Sequence, residues 1–247
     1  MSNQRHITHH VMFSDLQQAA AGDSIEISAQ EAHHAVRVKR VNINDQVGVL
    51  DGQGRIASGN IRSIAGSKSK PTISIELNQI RLFGPITPRV EIFAALPKGD
   101  RLDRMIDQLS QLGVSAFTPL ICNRSQRKPE TIRPEKLERI AIEASKQCHR
   151  PWALEINDPV AFPDAIQDPD AILADASGNA IDPSITRSRY VILIGPEGGW
   201  SDSEKEMITA TGLPIIRFGL FVLRIEAAAC AASANVLSDA VCPPVCP

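Results

Sequence analysis

Residues 190–207 read YVILIGPEGGWSDSEKEM. An apolar run ends in Gly195-Pro196-Glu197-Gly198-Gly199, and Ser201 and Glu204 follow at the S-x-x-E spacing of a helix capping box. A glycine loop between strand and helix is the usual cradle for a phosphate, because backbone N–H groups converge there. This loop matches neither G-x-G-x-x-G nor G-x-x-x-x-G-K-[ST], and the Glu197 carboxylate would repel a phosphate. Close backbone approach plus one carboxylate suits a ligand with hydroxyls or positive charge and no phosphate. S-adenosylmethionine has those properties. The same five residues also make an ordinary tight turn, and the loop alone does not separate the two readings.

A second segment, FGLFVLRIEAAACAASANVLS (218–238), places Arg224 and Glu226 at the entrance of a helix whose residues 227–234 all have small side chains. Buried helix packing explains the alanines without further assumption. The arginine suggests chemistry, since a fixed guanidinium stabilises an anion that develops during a reaction. The competing reading is a structural ion pair between Arg224 and Glu226 or Glu197.

Elements must hold these residues in place. The first third of the chain reads as short strands: 24–28, 45–50 and 55–64, with DGQG (51–54) as a hairpin turn, a second turn at 66–70, and a strand at 72–77. Strands at this spacing suggest a small barrel. AQEAHHAVRVKRV (29–41) predicts a turn or two of helix, and 82–89, with two prolines and a glycine, is the linker candidate. From Val90 the pattern alternates strand and helix. Strands are expected at 90–96, 116–121, 170–174, 190–194 and 214–218. One helix should carry Leu102, Met105, Ile106, Leu109 and Leu112 on one face and close at Gly113. Another begins near Pro134, with Leu137, Ile140, Ala141 and Ala144 inward. This pattern predicts a mostly parallel α/β sheet that binds ligands at the carboxyl ends of its strands.

Composition narrows the function classes. The 247 residues are 43% hydrophobic and carry a net charge of −2, which excludes disorder as the main theme. The longest uncharged apolar run, 227–238, is too short to span a bilayer. A reduced, cytoplasmic protein fits five scattered cysteines. Charge is unevenly placed: residues 98–150 sum to +4 and 151–247 to −8, so a basic front could meet a polyanion. Arg37, Lys39, Arg40, Lys98, Arg101, Arg124 and Arg127 are the candidate phosphate contacts. His33 and His34 suit RNA contact, capping or packing alike. With 4% aromatic residues, a base-stacking sheet is not expected. Cys242 and Cys246 in the VCPPVCP tail have the spacing of half a zinc site but no partner ligands nearby, so no metal is expected.

Several motifs occur together in one order: ALPKGDRLDRMIDQLSQLGVSAFTPLICNRS (95–125), IAIEASKQCHR (140–150), LIGPEGGWSDSE (193–204) and FGLFVLRIEAAA (218–229). Together they resemble the bacterial RsmE family, and EAHHAVRVKRVNINDQVGVLDGQG (31–54) resembles its first domain. The resemblance implies an S-adenosylmethionine-dependent methyltransferase acting on N3 of one uridine in 16S rRNA, free or in the assembled small subunit. It also implies a PUA-like β-barrel over 1–80, a linker over 81–89, and a SPOUT α/β domain over 90–247 with a C-terminal trefoil knot, in a homodimer. Other readings are a SPOUT ribose 2′-O-methyltransferase acting on tRNA or rRNA, and a non-catalytic RNA-binding assembly factor. On matching positions the cofactor would be held by Leu173, Ile194, Gly195, Glu197, Gly198, Gly199, Phe218, Gly219, Leu220, Leu223 and Ala227, with Arg224 as the catalytic residue. Gly199→Val is expected to block the cofactor with little loss of fold. The chain departs from the family pattern at Asn123, where an acid is usual, and at His149, where glycine is usual. It departs again at Ile225 and Ala227, where the family's L-R-T-E-T-A carries hydroxyls.

Overall fold

The structure, a computed structural model, describes residues 7, 9–27, 29–67, 70–182 and 187–245. They fall into two compact units. The first contains the described residues up to Pro85, residues 145–153 and those from Pro243 on; the second contains 86–144 and 154–242. The division differs from a single boundary at 81–89, because two later segments return to the first unit.

The first unit opens with β1 (His10–Met12), β2 (Ser24–Ile27), α1 (Ala29–Arg37), β3 (Gln46–Leu50), β4 (Arg55–Ser67) and β5 (Lys70–Phe83). The DGQG turn joins β3 to β4, which pair antiparallel, and β4 continues into a long antiparallel ladder with β5. β2 also pairs antiparallel with β5, and β1 lies parallel to β3. Alternation does the packing: Ile25, Ile27, Ile61, Ile73, Ile75 and Leu77 share one core, which Ala32 and Ala35 of α1 join. Both long strands outrun their apolar alternation, because the ladder carries on to pairs such as Arg55 with Leu82. The start of the expected linker is therefore strand. Of the turn expected at 66–70, Gly66 and Ser67 belong to β4 and Lys70 to β5, while Lys68 and Ser69, like Ser28, lie outside the described residues.

The second unit contains β6 (Arg89–Ala94), α2 (Arg101–Leu112), β7 (Ala116–Ile121), α3 (Pro134–Cys148), β8 (Glu155–Ile156), β9 (Val160–Ala161), α4 (Phe162–Ala165), β10 (Ala171–Ala180), β11 (Arg189–Ile194), α5 (Asp202–Thr211), β12 (Ile215–Arg217) and α6 (Ile225–Val236). From Ser145 the end of α3 groups with the first unit. The sheet runs β12-β10-β11-β6-β7-β8, with β9 also on β7, and every pairing is parallel. A parallel sheet is covered on both faces, which is why Val90, Ile92, Ala94 and Val191 to Ile194 are all buried. α2 buries Leu102, Met105, Ile106 and Leu109, and Gly113 ends it in the left-handed conformation. Leu112, expected on the buried face, is only half-buried; Ser110 is buried instead and donates to the Ala141 carbonyl at 3.1 Å.

Two features of this sheet bear on function. At the amino ends of the strands, Arg189 donates to Glu91 Oε1 and to Asp168, each at 2.9 Å, and Arg89 donates to Glu91 at 2.9 Å. Burial raises the Glu91 carboxyl, but hydrogen bonds from Arg189 and Arg89 outweigh it and leave the group below its ordinary value. At the other end, Ile216 of β12 pairs with Ala174 and again with Asn179, so residues 175–178 of β10 leave the ladder. After α6 the chain adds β13 (Pro244–Val245) antiparallel to Leu82 and Phe83 in the first unit.

Candidate functional site

A cleft of about 650 Å³ opens in the second unit, at the carboxyl ends of β10, β11 and β12 and the start of α6. Ile194, Gly195, Glu197, Gly199, Phe218, Gly219, Leu223 and Arg224 line it. Four expected members do not. Leu173 is buried inside β10, one residue short of the cleft. Gly198 faces Arg124, whose Cβ would lie 3.2 Å from an added methyl. Leu220, 85% exposed, and Ala227, also exposed, stand in solvent. The sequence reading missed Ala174, Asp175 and Ala176, where β10 leaves the sheet, along with Trp200, Arg217 and Arg101. Trp200, directly after the glycines, is the one such residue with a local signal.

The glycine loop has reasons in this fold for its composition. A Cβ on Gly195 would lie 2.6 Å from the Trp200 indole, which is buried and packs on Phe162 with ring centroids 4.7 Å apart. Gly199 donates its N–H to the Pro196 carbonyl at 2.9 Å and sits at φ +69°, a conformation strained for any branched side chain. Gly199→Val would therefore disturb the loop itself, which corrects the expectation that it leaves the fold intact. The capping box forms as expected. Ser201 Oγ accepts from Glu204 N at 3.3 Å and Glu204 Oε2 accepts from Ser201 N at 2.7 Å. Glu204 Oε1 also accepts from Asn123 N at 2.8 Å, while the Asn123 side chain donates to Ser201 Oγ at 2.9 Å, tying the end of β7 to the start of α5.

Charges are arranged differently from the sequence reading. Arg101, a candidate phosphate contact, donates from Nη1 to Glu197 Oε1 at 2.5 Å and stands 3.7 Å from Glu226 Oε1. The Glu197 hydrogen bond raises the Arg101 pKa further. Glu226 Oε2 is enclosed and, among the described residues, has no hydrogen-bond partner. The carboxylates that could have paired with Arg224 thus hold Arg101 instead. Arg224 caps α6, is exposed and lines the cleft, with no ion pair among the described residues.

Around the rim, Arg101 Nε donates to the Lys98 carbonyl at 3.2 Å and Arg124 to the Gly198 carbonyl at 3.4 Å. Arg127 reaches the Pro97 carbonyl at 3.4 Å. Lys98, Arg124 and Arg127 on two loops and Arg101 at the start of α2 are therefore gathered in one unit. His33, Arg37, Lys39 and Arg40 are exposed and His34 half-buried on α1 and the turn after it, in the other unit. Burial, and then Glu204, push the Cys122 thiol up to about 12. Cys246 lies outside the described residues. Among the described residues no group of three His, Cys, Asp or Glu could hold a metal ion, and no helix is long and apolar enough to cross a membrane.

Residues 85–237 match the family model described as an RNA methyltransferase domain, and residues 27–75 match that of an RNA methyltransferase PUA domain. The chain is 28% identical over 226 residues to ribosomal RNA small subunit methyltransferase E of Synechocystis sp., covering 86% of this chain and 72% of the relative. It is 29% identical over 227 residues to the protein of the same name from Aquifex aeolicus, covering 89% and 95%. The crystal structure of the Neisseria gonorrhoeae enzyme of that name, bound to S-adenosyl methionine, shares the fold. Its TM-score is 0.78 at 20% identity, over 94% of this chain and 98% of that one. The RsmE resemblance of the motifs thus extends over most of the chain.

Proposed function

This chain belongs to the RNA methyltransferase domain family, and on that premise we propose that it methylates N3 of a uridine in the 16S rRNA of the small ribosomal subunit, using S-adenosylmethionine, in the cytoplasm. The observation that carries the reading is the cleft. It combines close backbone approach at Gly195, a carboxylate at Glu197, apolar walls at Ile194, Phe218 and Leu223, and an uncommitted arginine at its edge. These residues fit S-adenosylmethionine, with hydroxyls and positive charge to be met and no phosphate. When bound, the cofactor supplies an electrophilic methyl group.

The chain's own residues do the rest. Ile194 and Leu223 supply apolar lining to the cleft, and Glu197, oriented by Arg101, offers a fixed acceptor. Transfer of the N3 proton to solvent hydroxide, giving water, leaves negative charge shared with the flanking uracil carbonyl oxygens, and the Arg224 guanidinium stabilises that anion. Lys98 and Arg124 hold RNA phosphates at the rim, and His33, His34, Arg37 and Arg40 hold RNA on the first unit. The PUA-domain match over 27–75 supports a PUA-like barrel there. The family match supports a SPOUT domain with a C-terminal knot and a homodimer formed through it, whose molar mass light scattering at micromolar concentration would read. A monomer with full activity would remove the dimer from the proposal.

Single-turnover methyl transfer to isolated 16S rRNA, small subunits and tRNA tests the reaction, with the product nucleoside identified. Arg224→Ala is expected to bind RNA normally and to lose about 10²-fold in the chemical rate, the usual cost of one transition-state charge partner. Methylation of a ribose hydroxyl, or of tRNA alone, would refute the proposal.

A further inference from the structure

A second concavity lies outside the machinery described so far. A groove of about 620 Å³ runs between α2, the 3-10 turn Pro129–Thr131 and α3. Its charged side chains are Arg127, Arg133, Lys136 and Arg139 against Asp103 and Glu135. Lys136 pairs with Asp103, so those two charges cancel. Arg127 is held by neutral acceptors only, the Thr131 hydroxyl at 3.2 Å and the carbonyls of Pro97 and Gly99 at 3.4 and 3.5 Å, and keeps its full charge. Arg133 and Arg139 are exposed and, among the described residues, have no acidic partner. Arg104 and Lys205, two other exposed cations of the second unit, do have acidic partners, Asp100 and Asp202. Three uncompensated arginines therefore face one carboxylate, Glu135.

We infer that this groove binds the phosphodiester backbone of RNA flanking the target nucleotide. The inference rests on the RNA-substrate reading above. Arg133, the residue before α3, and Arg139 in its second turn are six residues apart, so a rise of ~1.5 Å per residue separates them by roughly 9 Å along the helix. A row of cations matches a ligand whose negative charges repeat along a chain, and arginine's planar fork suits phosphate oxygens. Position agrees with charge. The first turn of α2 separates the groove from the cleft: Arg101 lines the cleft, and Leu102 and Asp103 line the groove. A helix with its side chains is only ~10–12 Å across, so a strand whose target base enters the cleft can lay its neighbouring phosphates in the groove. Arg127 joins the two, since it lines the groove while bonding the loop that carries Lys98.

The test is a salt series of RNA binding by fluorescence anisotropy, using a labelled 16S rRNA fragment and wild type, the double variant Arg133→Gln/Arg139→Gln, and Glu135→Gln. Two lost single-strand phosphate contacts should flatten the slope of log K against log salt by about 1.4 and weaken binding about tenfold at low salt. Glu135→Gln should tighten binding, a change of opposite sign that no loss of fold would produce. S-adenosylmethionine affinity by calorimetry should be the same in all three proteins. An unchanged slope in the double variant, or unchanged affinity in Glu135→Gln, overturns the inference and leaves the proposed function standing. So does tighter binding of polyglutamate than of RNA at equal charge. Wild-type protein that binds no RNA would overturn both.

Discussion

What stands opposite Arg101 and Arg224 sets their roles, the first expected from the sequence as a phosphate contact and the second as the catalytic residue. Glu197 lies 96 residues from Arg101 and Glu226 lies 125 away, so no local pattern announces the cluster. Its chemistry separates the two roles by experiment. Removing a phosphate contact flattens the salt slope of RNA binding, whereas removing an ion-pair partner from the cleft leaves two carboxylates without their cation. Arg101→Ala is expected to weaken S-adenosylmethionine binding about tenfold, the scale of a lost charge-assisted hydrogen bond, with the RNA salt slope unchanged. Calorimetry with the cofactor and the anisotropy series read the two quantities. A flattened slope with normal cofactor affinity would restore the phosphate reading. The glycines are a milder case. Their presence in a strand-to-helix loop was legible, but the reason at Gly195 was not, since it lies in the Trp200 ring folding back over the strand end.

Elements with a repeating signal were read from the sequence, and those without one were not. α2 and β11 show their periods, and α5 shows its capping box. β1, β8, β9 and β13 have two or three residues each, too few for any period, and are fixed by pairing with distant strands. The wall of the cleft at 174–176 was missed for a related reason: it exists because β10 shifts register against β12, some 40 residues later. α5 offers a quantitative test of how a local motif is used by the fold. Ser201→Ala removes one cap acceptor and should cost about 1 kcal/mol. Glu204, only 2% exposed, serves two backbone amides on different elements, so Glu204→Ala should cost more, about 2–4 kcal/mol. Urea unfolding of both variants measures the pair. Equal losses would mean that the Asn123 amide finds another acceptor.

At the scale of the whole molecule, stability should depend on acid through a histidine pair. His10 of β1 and His149 lie in the first unit with ring centroids 4.1 Å apart. Gly48, opposite His10 across the β1–β3 ladder, leaves room for the ring, since a Cβ there would lie 2.1 Å from it. His149 sits at φ +60° where the RsmE pattern has glycine, so the imidazole is gained at the expense of backbone ease. Burial first, then the neighbouring His149 and His9, lower the His10 pKa from 6.5 to about 4. Between those values the unfolded chain binds the extra proton, so stability is full above about pH 6.5 and falls as pH drops towards 4. His10→Phe keeps a ring and removes the proton site. Its urea midpoint should fall less than that of wild type between pH 7.5 and 5, and parallel curves would discard the assignment. The excursion of β10 at 175–178 has a consequence of another kind. Ile216 meets the ladder at Ala174 and again at Asn179, so the strand resumes against the partner it left. Chain can be lengthened or shortened at that point without re-registering any other strand, and the residues so exchanged are those that shape one wall of the cleft. The wall of the cleft can thereby change length while the sheet keeps its register.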